Sequence, residues 1–255
     1  MDEGRGQGEL SSYKPWIMVQ DFPSKGMVSR VFGSKTERVH HLLSSNELCY
    51  FYMLDWSEKV IDIKEQFPLL DLELAIKIAE KIGVYYPYDR TSGFPYVLTS
   101  DFVIVTKHGI KVRTVKMASE LKKKRVVEKL EIERRYWMEQ DVDWGIVTEK
   151  EIGRQRAYNV EWLGQARELS DFMLDDSLSM ALVEWFLKHH ADSDKSYLDI
   201  INELEAVFDL RKGLGLCVFK HLAYKRKIHV DIDSRNILEG LSKPRKSTNT
   251  ISGVM

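Results

Sequence analysis

The 255-residue sequence predicts a mixed α/β domain followed by a smaller helical module that ends in a wing. Strand-like and helix-like segments alternate up to about residue 165, which is how a sheet flanked by helices is encoded. Beyond Ser170 the text becomes helical, in three segments. The short β-like run Ile228-His229-Val230-Asp231-Ile232 then follows, the order of a helix-turn-helix module with a wing.

Taken in order, residues 1–12 are Gly-rich and polar and are expected as a flexible arm. Tyr13 to Ser34 reads as short strands broken by Pro15, Pro23 and Gly26. Ser44, three residues before Glu47, has capping-box spacing and starts a helix that runs through Leu48–Leu54 to Asp55-Trp56. Val60–Ile63 is strand-like, with Gln66-Phe67-Pro68 ending it. Leu70 to Ile82 has helical periodicity and stops at Gly83, a natural C′ residue. Phe102–Val105 and Ile110–Val115, on either side of Lys107-His108-Gly109, form a β-hairpin. Ala118 to Gln140 is one long charged helix with Val126, Val127, Leu130 and Trp137 facing inward. Trp144–Val147 is a strand, and Thr148 with Glu151 caps a further helix. Leu178–His189, Tyr197–Phe208 and Lys212–Tyr224 complete the helical part. Ser242 to Met255 is polar and expected as a disordered tail.

Composition sets limits on function. Hydrophobic residues make up 44% and charged residues 30%, the balance of an ordinary globular chain. The formal net charge is -1, from 38 basic and 39 acidic residues, so any DNA contact must rest on local patches. Cys49 and Cys217 are far apart and show no zinc or disulfide spacing. With no secretory leader pattern and no long apolar run, the chain is expected to be cytoplasmic, without a membrane partner and at the nucleoid when engaged on DNA.

Spacing in the hairpin brings chemistry together. If His108-Gly109 is the two-residue turn, Asp101 faces Lys116, Val103 faces Thr114 and Val105 faces Val112, and Asp101, Thr114 and Lys116 share a face. A carboxylate there suits magnesium, a hard cation that takes oxygen ligands. A lysine beside it stabilises negative charge or orients an attacking water. Glu47, on the helix before the sheet, is the candidate second carboxylate. Each residue also has a plainer reading. Glu47 occupies a helix-capping position, and Asp101–Lys116 could be a surface cross-strand pair contributing ~0.2–1 kcal/mol.

The surrounding text carries a resemblance. Arg38-Val39-His40-His41-Leu42-Leu43-Ser44, Glu47-Leu48, Asp62 through Leu69, Thr99-Ser100-Asp101-Phe102, Val115-Lys116 and the run from Glu128 to Trp137 resemble the TnsA family, endonuclease subunits of heteromeric cut-and-paste transposases, CRISPR-associated ones included. The match extends from Gly4 to about Trp162, and the remainder matches in layout. It implies a restriction-endonuclease-like catalytic domain over residues 1–165, a winged-helix domain over 166–240 and a tail over 241–255. It further implies Mg²⁺, two ions per site, held by Glu47, Asp101 and the carbonyl of Val115, with Lys116 catalytic. The position of Thr114 is usually glutamine in the family, or an acid in the wider superfamily, and a hydroxyl is the poorer ligand. Implied partners are double-stranded DNA at transposon ends, a TnsB-like recombinase with a triple-acid (DDE) site and a TnsC-like AAA+ ATPase regulator. Hydrolysis of the non-transferred strand at the transposon 5′ ends is the implied reaction. A nuclease fold whose site has weakened, kept as an assembly scaffold, is the alternative that Thr114 motivates.

Two basic groups are DNA-binding candidates. Lys122, Lys123, Lys124 and Arg125 either grip phosphates or form a solvated face paired to Glu128 and Glu131. Lys212 and Lys220 belong to a basic set around the third C-terminal helix, where winged helices contact either DNA or protein.

Overall fold

The computed structural model describes residues 3–21, 27–192 and 195–239. It divides into two units, Met1–Ile152 and Gly153–Met255. The composition change near residue 165 placed that division later. It falls earlier, and Leu163, which precedes that point, packs into the second unit's core with Leu182, Phe186 and Tyr197.

In the first unit the Gly-rich start is folded back on itself rather than loose. Arg5 donates to the Trp16 carbonyl at 3.0 Å, and the Gly6 N–H to the Lys14 carbonyl at 2.7 Å. Gly6 has φ +74, and a Cβ there would come within 2.5 Å of Pro68 Cγ, so only glycine fits. Of the short strands expected over Tyr13 to Ser34, the described residues show one, β1 (Ser29–Gly33), which pairs with β2 (Arg38–Leu42). Pro23 and Gly26 lie outside the described residues.

Helix α1 (Ser45–Trp56) begins where expected, with Ser44 Oγ accepting the Glu47 N–H at 3.2 Å. Strand β3 (Val60–Pro68) is longer than its apolar run and leads to α2 (Leu72–Lys81), which Asp71 caps by accepting the Leu74 N–H at 2.9 Å. Strands β4 (Thr99–Thr106), β5 (Gly109–Val115) and β6 (Asp143–Val147) complete a four-stranded mixed sheet in the order β3-β4-β5-β6. Its β5–β6 pair is parallel, and the other two pairs are antiparallel. Helix α3 (Lys124–Met138) packs Ile132, Tyr136 and Trp137 onto Val103 and Val112.

Three more expectations in this unit change. The hairpin turns at Lys107-His108, not His108-Gly109, so Val103 faces Val112 and Val105 faces Ile110. Thr106 Oγ1 accepts the His108 N–H at 3.1 Å and donates to the Gly109 carbonyl at 2.8 Å, closing the turn one residue early. Gly109, with φ +122, serves the start of the strand. The long charged helix starts at Lys124 after a 3₁₀ turn over Glu120–Lys122, and Val127 is exposed. Thr148 and Glu151 close a turn on each other, at 2.6 and 2.7 Å, and the next helix starts only at Arg154.

The second unit is helical: α4 (Arg154–Gly164), α5 (Asp176–Asp192), α6 (Tyr197–Val207) and α7 (Leu214–Tyr224). Ser196 and Asp199 cap α6 reciprocally. Among the described residues Ile228–Ile232 forms no strand. Ile228 is buried in the helical core, and the Tyr197 hydroxyl donates to the His229 carbonyl, so the segment packs inward. The tail from Ser242 lies outside the described residues. No helix among the described residues is long and apolar enough to cross a membrane.

Candidate active site

The sheet opens at one place, and the candidate residues meet there. Pairing of β4 with β5 ends at Phe102–Arg113, whereas β5 stays on β6 through Val115–Val147. In the gap, Asp101 Oδ2 accepts the Val115 N–H at 2.7 Å and Lys116 Nζ at 2.8 Å. Lys116 Nζ also donates to the Val115 carbonyl at 3.0 Å. The side chain of Asp101 thus takes the place of a backbone acceptor. Its Oδ1 has no hydrogen-bond partner among the described residues. The corrected register moves every pair by an even step, which keeps Asp101, Thr114 and Lys116 on the same parity although Asp101 and Lys116 are no longer opposed.

Glu47 comes in from α1. Its Oε2 accepts the Leu43 N–H at 2.9 Å and Gln66 Nε2 at 3.3 Å, and its Oε1 accepts the Ser44 hydroxyl at 2.9 Å. Burial first, then the nearby Asp101 carboxylate, pushes the Glu47 carboxyl up to about 7. Lys116 is also raised, which for an ammonium favours the charged form. Burial would lower it, but Asp101 outweighs burial and raises it, so the ammonium stays charged at neutral pH.

Thr114 does not face this opening as a free hydroxyl. It donates to Glu133 on α3, which also accepts the Ser100 hydroxyl at 2.6 Å and Trp144 Nε1 at 3.0 Å. Burial drives the Glu133 carboxyl up to about 7; Ser100, Thr114 and Trp144 oppose the rise and Asp101 adds to it. Sequence reading passed over both Glu133 and Gln66. Glu133 lies three residues from Leu130, Tyr136 and so on the inward stripe of its helix, and a carboxylate on such a stripe was the available signal. Gln66 carried none beyond its place in a motif. In the fold it takes φ +48, with Thr99 Oγ1 donating to its Oε1 at 3.1 Å and Trp16 N–H to its carbonyl at 3.1 Å.

Among the described residues there is no group of three or more His, Cys, Asp and Glu side chains fit to hold a metal. The available donors are two carboxylates, Glu47 and Asp101, and the Val115 carbonyl. All are hard oxygens, the class magnesium takes with the remaining positions left to water. The upward push of Asp101 on Glu47 is also a demand for a nearby cation. The donor set fits.

The basic candidates separate. Lys123 pairs with Glu120 at 2.6 Å, Lys124 with Glu128 at 3.8 Å, and Arg125 with Glu128 at 3.1 Å. Lys122 is exposed without an acidic partner among the described residues, and Lys212 is exposed. Lys220 is corrected: it is buried, its ammonium 4.2 Å from the Trp162 ring centroid and 2.9 Å from Gln165 Oε1, which takes it out of reach of a phosphate backbone.

Comparison with known proteins matches nearly the whole chain to one family. Residues 57–149 match the model described as TnsA-like endonuclease N terminal, and residues 151–232 the one described as TnsA endonuclease C terminal. Asp101, Thr114 and Lys116 fall inside the first match and Glu47 precedes it. The chain is 37% identical over 225 residues to the Transposon Tn7 transposition protein TnsA of Escherichia coli, covering 86% of this chain and 80% of that protein.

Proposed function

We propose, for a chain that belongs to the TnsA endonuclease family, magnesium-dependent hydrolysis of one DNA strand at the opening between β4 and β5, as the cutting subunit of a heteromeric transposase. The observation that carries this reading is the contact of Lys116 Nζ with Asp101 Oδ2 at 2.8 Å, made where the sheet parts. Glu47, Asp101 and the Val115 carbonyl would hold Mg²⁺. Bound magnesium supplies Lewis-acid polarisation of the phosphoryl oxygen and a more acidic water.

The chain's own groups do the rest. Lys116, kept protonated by Asp101, offsets the charge that builds on phosphorus-bound oxygen as water adds and the bond to the leaving oxygen breaks. It also orients that water. Gln66 fixes the Glu47 carboxylate, and Asp101 is fixed by the Val115 N–H. Thr114 and Ser100 hold Glu133 behind the site, a carboxylate that can keep a proton near neutral pH. Thr114 accordingly acts through Glu133 as a positioning residue.

The finer assignments extend this reading. Two ions per site, cleavage of the non-transferred strand at transposon 5′ ends, a DDE recombinase partner and an AAA+ regulator are proposed with it, on the ground of family membership. Helices α5 to α7 are proposed as the helix-turn-helix part of a winged-helix domain, with Lys212 as its DNA-facing cation. The deciding experiment is nicking of transposon-end duplex with Mg²⁺ and the partner subunits, by wild type and Asp101→Ala. Loss of the nick in the variant is expected. Identical products from both would leave the scaffold reading standing.

A further inference from the structure

The chain enters the site through one exposed segment and leaves it through another. Residues 84–98, between α2 and β4, run directly into Thr99-Ser100-Asp101, and Lys122–Arg125 follow Lys116 within a few residues. Arg125 joins the two: its guanidinium donates to the Tyr85 carbonyl at 2.6 Å and lies 5.6 Å from the Tyr85 ring centroid.

The first segment is braced by its own hydrogen bonds, yet it presents large rings to solvent. Asp89 accepts from the Thr91 N–H at 3.0 Å, the Ser92 N–H at 2.7 Å, the Ser92 hydroxyl at 2.9 Å and the Tyr96 hydroxyl at 2.8 Å. The Asp89 N–H donates to the Phe94 carbonyl at 2.8 Å, and the Tyr86 hydroxyl to the Tyr96 carbonyl at 2.9 Å. On this braced loop Phe94 is 73% exposed, Tyr85 69% and Tyr96 51%. The Tyr85 ring meets Arg125 and the Tyr88 ring, yet most of it and of Phe94 still faces solvent, and rings offered on a braced support are what a binding platform requires.

We propose that this loop and the Lys122–Arg125 segment form a clamp on the DNA strand beside the cut, Tyr85 and Phe94 stacking on bases that leave the duplex and Lys122 meeting the phosphates. The inference rests on the nuclease reading of the site. Reach supports it: Phe94 precedes Asp101 by so little chain that its backbone lies at most ~24 Å away, about seven nucleotides of duplex. Charge favours nucleic acid over protein, since Arg90 and Lys122 have no acidic partner among the described residues. Stacking platforms combined with cations are how single strands are held without regard to sequence. No base needs to be read for such a clamp to work.

The test uses the full chain in EDTA, so that cleavage does not intervene, with a labelled duplex of about 30 base pairs either fully paired or holding about six unpaired nucleotides. Wild type is expected to bind the unpaired form about tenfold more tightly. Y85A/F94A, which removes two largely exposed rings and is expected to keep a folded circular-dichroism spectrum, abolishes that preference. K122E weakens both forms alike and reduces the salt slope by about one. Asp101→Ala retains the preference, which separates a failed clamp from a failed active site. The proposal is overturned if wild type shows no preference, or if Y85A/F94A keeps it. It is likewise overturned if Y85A/F94A binds DNA normally but no longer assembles with the partner recombinase, which makes the loop a protein contact.

Discussion

Among the described residues three glutamates are buried in the first unit, and they are treated in opposite ways. Glu65, on β3, accepts both Arg38 nitrogens, at 2.8 and 2.5 Å, His40 Nδ1 at 2.7 Å and the His41 N–H at 3.0 Å. Burial pulls its carboxyl up, but Arg38 and His40 overwhelm burial and hold it down at about 2. Glu47 and Glu133 have hydroxyl, amide or indole donors and no paired cation, and both rise to about 7. A carboxylate whose charge is answered inside the fold is structural: it ties the β1–β2 hairpin to the sheet. Of the two left unanswered, Glu47 stands at the opening where a cation can arrive from outside, whereas Glu133 stays behind it, held by Ser100, Thr114 and Trp144.

Glutamate-to-glutamine substitution breaks this comparison most directly, and the largest effect belongs to Glu65. E65Q leaves Arg38 buried without a counter-charge and should cost ~3–5 kcal/mol in urea unfolding. E47Q removes a carboxylate that the fold already prefers protonated, so its stability should match or exceed wild type while cleavage falls. If E47Q destabilises as much as E65Q, the distinction between the two glutamates collapses.

Next is Lys116. K116A removes the cation that offsets transition-state charge, with an expected loss of about 10²–10³ in single-turnover cleavage, equivalent to ~2.7–4 kcal/mol. Circular dichroism and the urea midpoint should barely move, because Asp101 keeps the Val115 N–H. A cleavage deficit under tenfold would demote Lys116 to a surface partner of Asp101.

Proton linkage gives a smaller effect with a definite sign. Glu65 titrates lower in the fold than its ordinary 4.5, so its contribution is present above that value and is lost as pH falls toward about 2. Glu47 and Glu133 titrate higher, so their contribution declines as pH rises from 4.5 to about 7 and stays low beyond it. Magnesium binding the ionised site should therefore raise the melting temperature more at about pH 8 than at about pH 5. The increment should vanish in Asp101→Ala. Equal increments at both pH values would show that the ion is not held by Glu47.

Much of this was legible in the sequence. The cap at Ser44, the stop at Gly83 and the strand pair around residue 107 are local signals, and local physics sets them. The register was not legible. Gly109 invites a turn, but its positive φ serves the strand start while Thr106 closes the turn from its side chain. The error left the site intact because an even slip keeps each residue on its face. Lys220 failed for another reason: a lysine reads as surface until a Trp162 ring and a Gln165 carbonyl, both distant in sequence, cover it. Glu133 was hidden among the charges of α3, and what distinguishes it is tertiary, the Ser100, Thr114 and Trp144 donors that converge on it.

Thr114 supplies the smallest and most discriminating effect. As a metal ligand its loss would remove a coordination position, and T114V would then cost about 10²-fold or more in cleavage. As a donor to Glu133 it is one of three, with Ser100 and Trp144 remaining. T114V keeps the shape of the side chain and withdraws a hydrogen bond that favours the ionised Glu133, so that carboxyl should titrate still higher. Cleavage should fall less than tenfold, and the magnesium concentration for half-maximal rate should be unchanged. A large rise in that concentration would return Thr114 to the metal site and leave Glu133 as packing.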